Sequence, residues 1–182
     1  MNRHPGGEEH TARLLQLAAL PAGSRILDMG AGDGEALRLM QSRGYTAVGI
    51  DRKPRSELVQ EGDFIHTGFP DASFDGILSQ CAFFVSGNAP AALREARRLL
   101  RPKGVLMLSD VFFEEPAFPG FHVRICEDMT PLWREYFLEA LWRSEADPSW
   151  CEDIDCRCFS RGKSRYLSVI AEKEEENHNG FA

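Results

Sequence analysis

The chain has 182 residues, 43% of them apolar and 27% charged, with a formal net charge of -7. That length suits one domain able to bury its own core without staples. The acidic balance argues against a nucleic-acid partner, which needs clustered positive charge. No apolar run reaches the length of a bilayer span, so no membrane partner is expected. The polar start, Met1 to Glu9, lacks the apolar core of a secretory signal, and the expected location is cytoplasmic. Five cysteines, Cys81, Cys126, Cys151, Cys156 and Cys158, form an odd set and are expected to be reduced. The last three lack a C-x-x-C spacing, so no metal is expected.

In chain order, Thr11 to Leu20 reads as a helix with Leu14, Leu17 and Ala18 on one face, ended by Pro21-Ala22-Gly23. Arg25 to Asp28 is a short apolar run feeding a glycine-rich turn. Glu35 to Ser42 is helical in composition and Gly44 ends it. Thr46 to Asp51 is a second buried strand, and Leu58 to Gln60 a weak third. Only Arg52 to Glu57 separates them, too few for a crossover helix. The third strand is therefore expected to be short, irregular or missing, without continuous pairing over Leu58 to Gln60.

Phe74 to Ser79 reads as a fourth strand. Asn88 and Pro90 start a helix as N-cap and early-turn proline, with its body over Ala91 to Leu100. The basic stretch Arg94 to Lys103 reads as the solvated face of that helix. Val105 to Ser109 is the clearest buried strand. Asp110 to Lys163 is less regular, with one helix over Thr130 to Trp142 whose Trp133, Tyr136, Phe137, Ala140 and Leu141 share a face suited to the core. His122 reads as structural, and no strand is placed in this segment before Arg165. Arg165 to Ala171 is a final strand and the polar tail from Glu172 is expected to be disordered. Strands alternating with helices imply an α/β fold, a mainly parallel sheet with helices on both faces.

The chemistry concentrates at Asp28-Met29-Gly30-Ala31-Gly32-Asp33-Gly34, at a junction of strand and helix. Glycines there let the backbone turn tightly under a ligand, and the helix start offers unpaired N–H groups. The pattern departs from G-x-G-x-x-G, because position 35 is Glu35. A carboxylate at Asp28 repels a pyrophosphate but suits an ammonium group, which S-adenosylmethionine carries beside its sulfonium. Asp51, 17 residues after Gly34, can accept from both ribose hydroxyls. Asp63, in Gly62-Asp63-Phe64, can accept from the adenine amino group while Phe64 packs on the ring. Each aspartate also suits plain turn capping.

These pieces, with Phe69 to Asp75 and Ala96 to Gly104, resemble the class I S-adenosylmethionine methyltransferases. The likeness is to the branch of ubiquinone-biosynthesis-type and arsenite-type enzymes, and it spans Arg25 to Asp110. It implies a Rossmann-like twisted sheet, here with a reduced third-strand edge. One methyltransferase domain would then cover 1–182: an N-terminal helix in 1–24, a cofactor-binding core in 25–110, a variable acceptor-side segment in 111–164, a final strand in 165–171 and a tail in 172–182. The resemblance implies that Asp28, Gly30 and Gly32 hold the methionine part, Asp51 the ribose and Asp63 with Phe64 the adenine, while Ser79 and Gln80 line the cofactor near its methionine end. Ala31, Gly34, Arg52 and Gly62 are expected among the cofactor-binding residues. Pro5-Gly6-Gly7 resembles a lead-in that folds over the cofactor in some relatives. Lys103 stands where the family commonly has glycine.

The implied reaction is methyl transfer to a small-molecule acceptor, with no catalytic residue identified. A protein that binds the cofactor or its demethylated product without turnover stays open. A nucleotide-dependent oxidoreductase is disfavoured by Asp28 and Glu35. Arsenite-methylating relatives bind their acceptor through thiolates, which points to Cys126, Cys151, Cys156 and Cys158. Against this, Glu152, Asp153 and Asp155 would raise thiol pKa values, and ordinary reduced cysteines are expected. The sequence leaves the oligomeric state undecided.

Overall fold

The computed structural model describes residues 4–83, 86–146 and 164–175. In chain order the elements are α1 (Gly7–Ala18), β1 (Arg25–Met29), α2 (Glu35–Ser42), β2 (Thr46–Asp51), β3 (Val59–Glu61), β4 (Phe74–Gln80), α3 (Ala89–Leu99), β5 (Leu100–Phe112), β6 (Phe121–Asp128), α4 (Thr130–Ala146) and β7 (Arg165–Lys173). Among the described residues the strands make one sheet in the order β3-β2-β1-β4-β5-β7-β6. The pairings among β1 to β5 are parallel, and β7 runs against both β5 and β6. Strand order reverses between β1 and β4, and the carboxyl ends at such a reversal leave a crevice for ligands.

Alternation along the strands feeds two apolar layers. Leu27, Met29, Ile77, Leu106 and Leu108 meet α3 through Ala92, Ala96 and Leu99. Ile26, Leu78, Val105 and Met107 meet α1 and α2 through Leu14, Leu15, Ala18, Leu37 and Met40. Each fully buried Leu, Ile or Phe contributes about 1.5–3 kcal/mol. Asn88 caps α3 as its composition indicates, its side chain accepting from the Ala91 N–H at 3.2 Å.

Several elements differ from the sequence reading. α1 begins at Gly7 rather than Thr11, with Glu8 and Glu9 in its first turn, where negative charge is favoured. β3 is three residues long and no helix precedes it, in line with a reduced edge. Its pairing is continuous, however, Gly49 with Val59, Ile50 with Gln60 and Asp51 with Glu61, contrary to the broken ladder expected. The short crossover closes without a helix because Asp51 Oδ1 accepts from Lys53 N at 2.8 Å and Ser56 O from Val59 N at 3.1 Å. β5 begins at Leu100, through an irregular stretch in which Lys103 adopts φ 63°. β6 was not expected; a register shift between Val123 and Ile125 interrupts its alternation. β7 takes in Glu172 and Lys173, which therefore belong to the sheet and not to a tail. The tail beyond residue 175 and Cys151, Cys156 and Cys158 lie outside the described residues.

The basic stretch is more than a solvated face. Arg98 donates to Glu95, Asp71 and the Phe69 carbonyl, and Arg101 pairs with Asp75. The Arg98 contacts stitch α3 to the approach of β4, and the Arg101 pair ties the start of β5 to β4. His122 is exposed on β6, with no role in the core. Trp133 and Phe137 are buried, as the stripe on α4 implies.

The β5–β6 connection is the other departure. Phe113 to Gly120 contains no helix, although β6 runs parallel to β5 with β7 between them. Phe112 is level with Arg165 and Phe121 with Lys173. The link is folded rather than extended. The Phe121 N–H donates to the Phe118 carbonyl at 3.1 Å across a turn entered by Pro119, in which Gly120 has φ 77°. Phe118 packs edge-on against Phe112, 6.1 Å between centroids, and anchors the link to the end of β5.

Candidate functional site

The crevice at the strand reversal is built around the turn after β1. Gly30 and Ala31 donate their N–H groups to the Ile50 carbonyl at 2.9 and 3.1 Å, which folds the turn over β2. Gly30 has φ 97°, and a Cβ there would overlap the Ala82 Cβ across the crevice. Only glycine lets the ends of β1 and β4 approach this closely. Gly34 caps α2, and its N–H donates to Ala31 O at 2.8 Å.

Asp28 is the electrostatic centre. It is 4% exposed, and no group among the described residues donates a hydrogen bond to its carboxylate. Burial, with Asp51 and Asp33 nearby, pushes its pKa up to about 7. Asp51 closes the neighbouring strand and accepts from Gly32 N through Oδ2 at 2.9 Å. Arg52 follows it, exposed. Gly62 N donates to the Asp51 carbonyl at 2.9 Å, which brings the Gly62-Asp63-Phe64 turn beside it. Asp63 Oδ1 accepts from Ile65 N at 3.0 Å, an Asx turn that leaves its other oxygen sites for a ligand. Phe64 is buried and stacked on Phe83, with one edge 3.9 Å from where a Gly30 Cβ would lie.

Ser79 and Gln80 sit at the end of β4 but differ in role. Ser79 is fully buried and its hydroxyl donates to the Met29 carbonyl at 2.9 Å, bracing the turn from behind. Gln80 Oε1 accepts from Thr11 at 3.0 Å, and Gln80 Nε2 lies 3.3 Å from His4 Nδ1. The start of α1 is thereby tied across the crevice. Burial holds the His4 pKa below its ordinary value, against the pull of Glu35 and Asp33. Burial likewise lowers His10 to about 4.

On the far side of β4, Cys81 adopts φ 56° and its Sγ lies 3.4 Å from the Tyr166 hydroxyl. Tyr166 packs with Val111 and Trp133. Burial raises its pKa well above 10, so the phenol stays protonated. All twelve residues named from sequence thus lie at the carboxyl ends of β1 to β4 or on the turn into α2. Sequence reasoning missed Thr11, His4, Arg55, Ala82 and Tyr166. Thr11 had a signal: a hydroxyl within the apolar stripe Leu14, Leu15, Ala18 needs a partner inside.

A family model described as a methyltransferase domain matches residues 4–164. The chain is 31% identical over 107 residues to malonyl-[acyl-carrier protein] O-methyltransferase of Serratia marcescens, covering 53% of this chain and 42% of that one. It spans about half the length of the curated relatives it matches. Among solved structures it resembles a putative sarcosine dimethylglycine methyltransferase from Galdieria sulphuraria, with TM-score 0.70, 18% identity, and 91% and 84% of the two chains covered. It also resembles phosphoethanolamine N-methyltransferase 2 of Haemonchus contortus, solved with S-adenosyl-L-methionine, with TM-score 0.68, 17% identity, and 95% and 54% covered.

Proposed function

The chain belongs to the methyltransferase-domain family, and from that premise we propose that it binds S-adenosylmethionine in the crevice between β1 and β4 and methylates a small-molecule acceptor. The observation that carries this reading is the buried Asp28 carboxylate with no donor of its own among the described residues. Such a group calls for a cation and repels a phosphate. The cofactor's ammonium group meets that demand.

Asp51 has lone pairs beyond those used by Gly32 and Lys53, and these suit ribose hydroxyls. Asp63 and the Phe64 edge form the adenine end, and Gly30, Ala31, Gly32 and Gly34 let the backbone pass beneath. Arg52 flanks the ribose from the rim. Ser79 holds the turn in shape, and the Gln80–Thr11–His4 contacts close the crevice against water. When bound, S-adenosylmethionine supplies an electrophilic methyl group, and its carbon–sulfur bond breaks with the electron pair passing to sulfur. An acceptor that is already nucleophilic needs no acid–base pair, only positioning. The acceptor would lie beside the carboxyl ends of the strands, next to the half-buried Cys81.

A net charge of -7 favours a small acceptor over nucleic acid. No helix among the described residues is long and apolar enough to cross a membrane. The test is calorimetry with S-adenosylmethionine, then an acceptor screen read by release of S-adenosylhomocysteine. Binding with turnover of an organic nucleophile supports the reading. Absence of cofactor binding overturns it, and a submicromolar, salt-sensitive complex with tRNA overturns the small-molecule part.

A further inference from the structure

The crossover from β2 to β3 has no helix, and its chain folds back over the glycine turn instead. Arg55 N donates to the Gly32 carbonyl at 2.9 Å. The Arg55 guanidinium follows: Nη2 lies 2.9 Å and Cζ 3.7 Å from where a Gly32 Cβ would stand, and no other described residue beyond the turn's own neighbours comes within 4 Å of that point. Gly32 is buried, although it belongs to the ligand turn, because this side chain covers it. The crossover is also braced. Asp51 Oδ1 accepts from Lys53 N, and the Ser56 carbonyl and hydroxyl accept from Val59 N and Leu58 N. Arg55 therefore stands on a fixed platform rather than a loose loop.

Its position decides which part of the cofactor it meets. Gly32 N is bonded to the Asp51 carboxylate, so the guanidinium stands at the Asp51 side of the turn. We propose that Arg55 is a cofactor-positioning residue that donates to the ribose hydroxyl oxygens while Asp51 accepts from the same hydroxyls. The chemistry is complementary. A hydroxyl has one proton for Asp51 and two lone pairs for an N–H donor, and guanidinium has five N–H groups on a rigid plane. Arg55 supplies from a short crossover the wall that a helix after β2 would otherwise build.

The inference rests on S-adenosylmethionine being the cofactor, and the experiment separates the two. Calorimetry is run on the full chain and on Arg55→Ala and Arg55→Lys, with S-adenosylmethionine and with 5′-methylthioadenosine, which keeps the nucleoside but lacks the amino-acid end. Arg55→Ala is expected to weaken both ligands by the same factor, about 10- to 100-fold, and Arg55→Lys to recover part of the loss. The exposed position of Arg55 leaves the ligand-free melting temperature of both variants close to the parent's. Unchanged affinity in Arg55→Ala overturns the proposal. So does a loss confined to S-adenosylmethionine, which would move Arg55 to the amino-acid end. Failure of the parent chain to bind either ligand overturns the cofactor reading itself.

Discussion

Asp51 does two jobs with one carboxylate. It fixes the turn through Gly32 N and the crossover through Lys53 N, and in the proposed complex its remaining lone pairs meet the ribose. Asp51→Ala should weaken S-adenosylmethionine binding by about 1.5–3 kcal/mol, the loss of a charged acceptor. Asp51→Asn, which still accepts through its amide oxygen, should lose less; equal affinity of all three proteins in calorimetry would remove Asp51 from the site. Gly32→Val is a poor probe of open space, because its side chain would press on Arg55 first. Lys103 offers a residue-scale test of the backbone. It holds φ 63°, where a non-glycine residue costs about 1–2 kcal/mol. Its pairing with Glu175 at 3.4 Å is exposed and offsets little. Lys103→Gly should therefore raise stability by up to about 1 kcal/mol in urea denaturation, after the entropy that glycine adds to the unfolded chain. A lower urea midpoint would show that the lysine contributes more than its backbone costs.

Two crossovers, β2 to β3 and β5 to β6, have lost their helices, and each is closed by a different device. The first folds into a hydrogen-bonded turn. The second is held by the turn from Phe118 to Phe121 and by the ring contact of Phe118 with Phe112. Phe118→Ala removes that anchor without changing the length of the link, and should cost about 1–3 kcal/mol in urea denaturation. Inserting one glycine after Ala117 should cost under about 1 kcal/mol, since loop entropy grows slowly with length. A urea midpoint of Phe118→Ala equal to the parent's would show that the ring contact does not anchor the link. The same elements mark where sequence stopped being legible. β1, α2, β2 and α3 carry clear periodicity, a glycine turn or a cap, and their positions could be read directly. β6 could not, because its register shift breaks the alternation of Phe121, Val123 and Ile125 and because eight residues look too few for a crossover. The site residues were legible wherever a carboxylate or glycine closes a strand. Arg55 was not, since nothing local distinguishes it from Arg52 or Lys53; only the folded crossover selects it. Phe69 to Asp75 and Ala96 to Gly104 were legible as a pair, and the contacts of Arg98 and Arg101 explain why they occur together.

At the scale of the molecule, the crevice sets stability against binding, and pH exposes the exchange. Asp28 has a pKa of about 7 in the fold and 3.8 as its ordinary value. Between those values the folded chain holds a proton that the unfolded chain has lost. Stability from this group is therefore fully present below about pH 4, falls as pH rises towards 7, and is constant above. The total is on the order of 4 kcal/mol. Carboxylates with lowered pKa, such as Glu95 beside Arg98, act in the opposite direction at lower pH, so the parent's profile alone is ambiguous. The difference between Asp28→Asn and the parent isolates the group. The variant should be more stable at pH 8, with the gap closing as pH approaches 4. Ligand binding should show the mirror image. An ammonium group pairs with the ionised carboxylate, so S-adenosylmethionine binding by the parent should tighten as pH rises from 5.5 to 7 and level off above. Asp28→Asn should bind weakly with no such slope. Urea denaturation and calorimetry at four pH values measure both curves. A stability difference that does not vary with pH would mean that Asp28 is not held protonated by the fold, and the crevice would lose its claim to a cationic ligand.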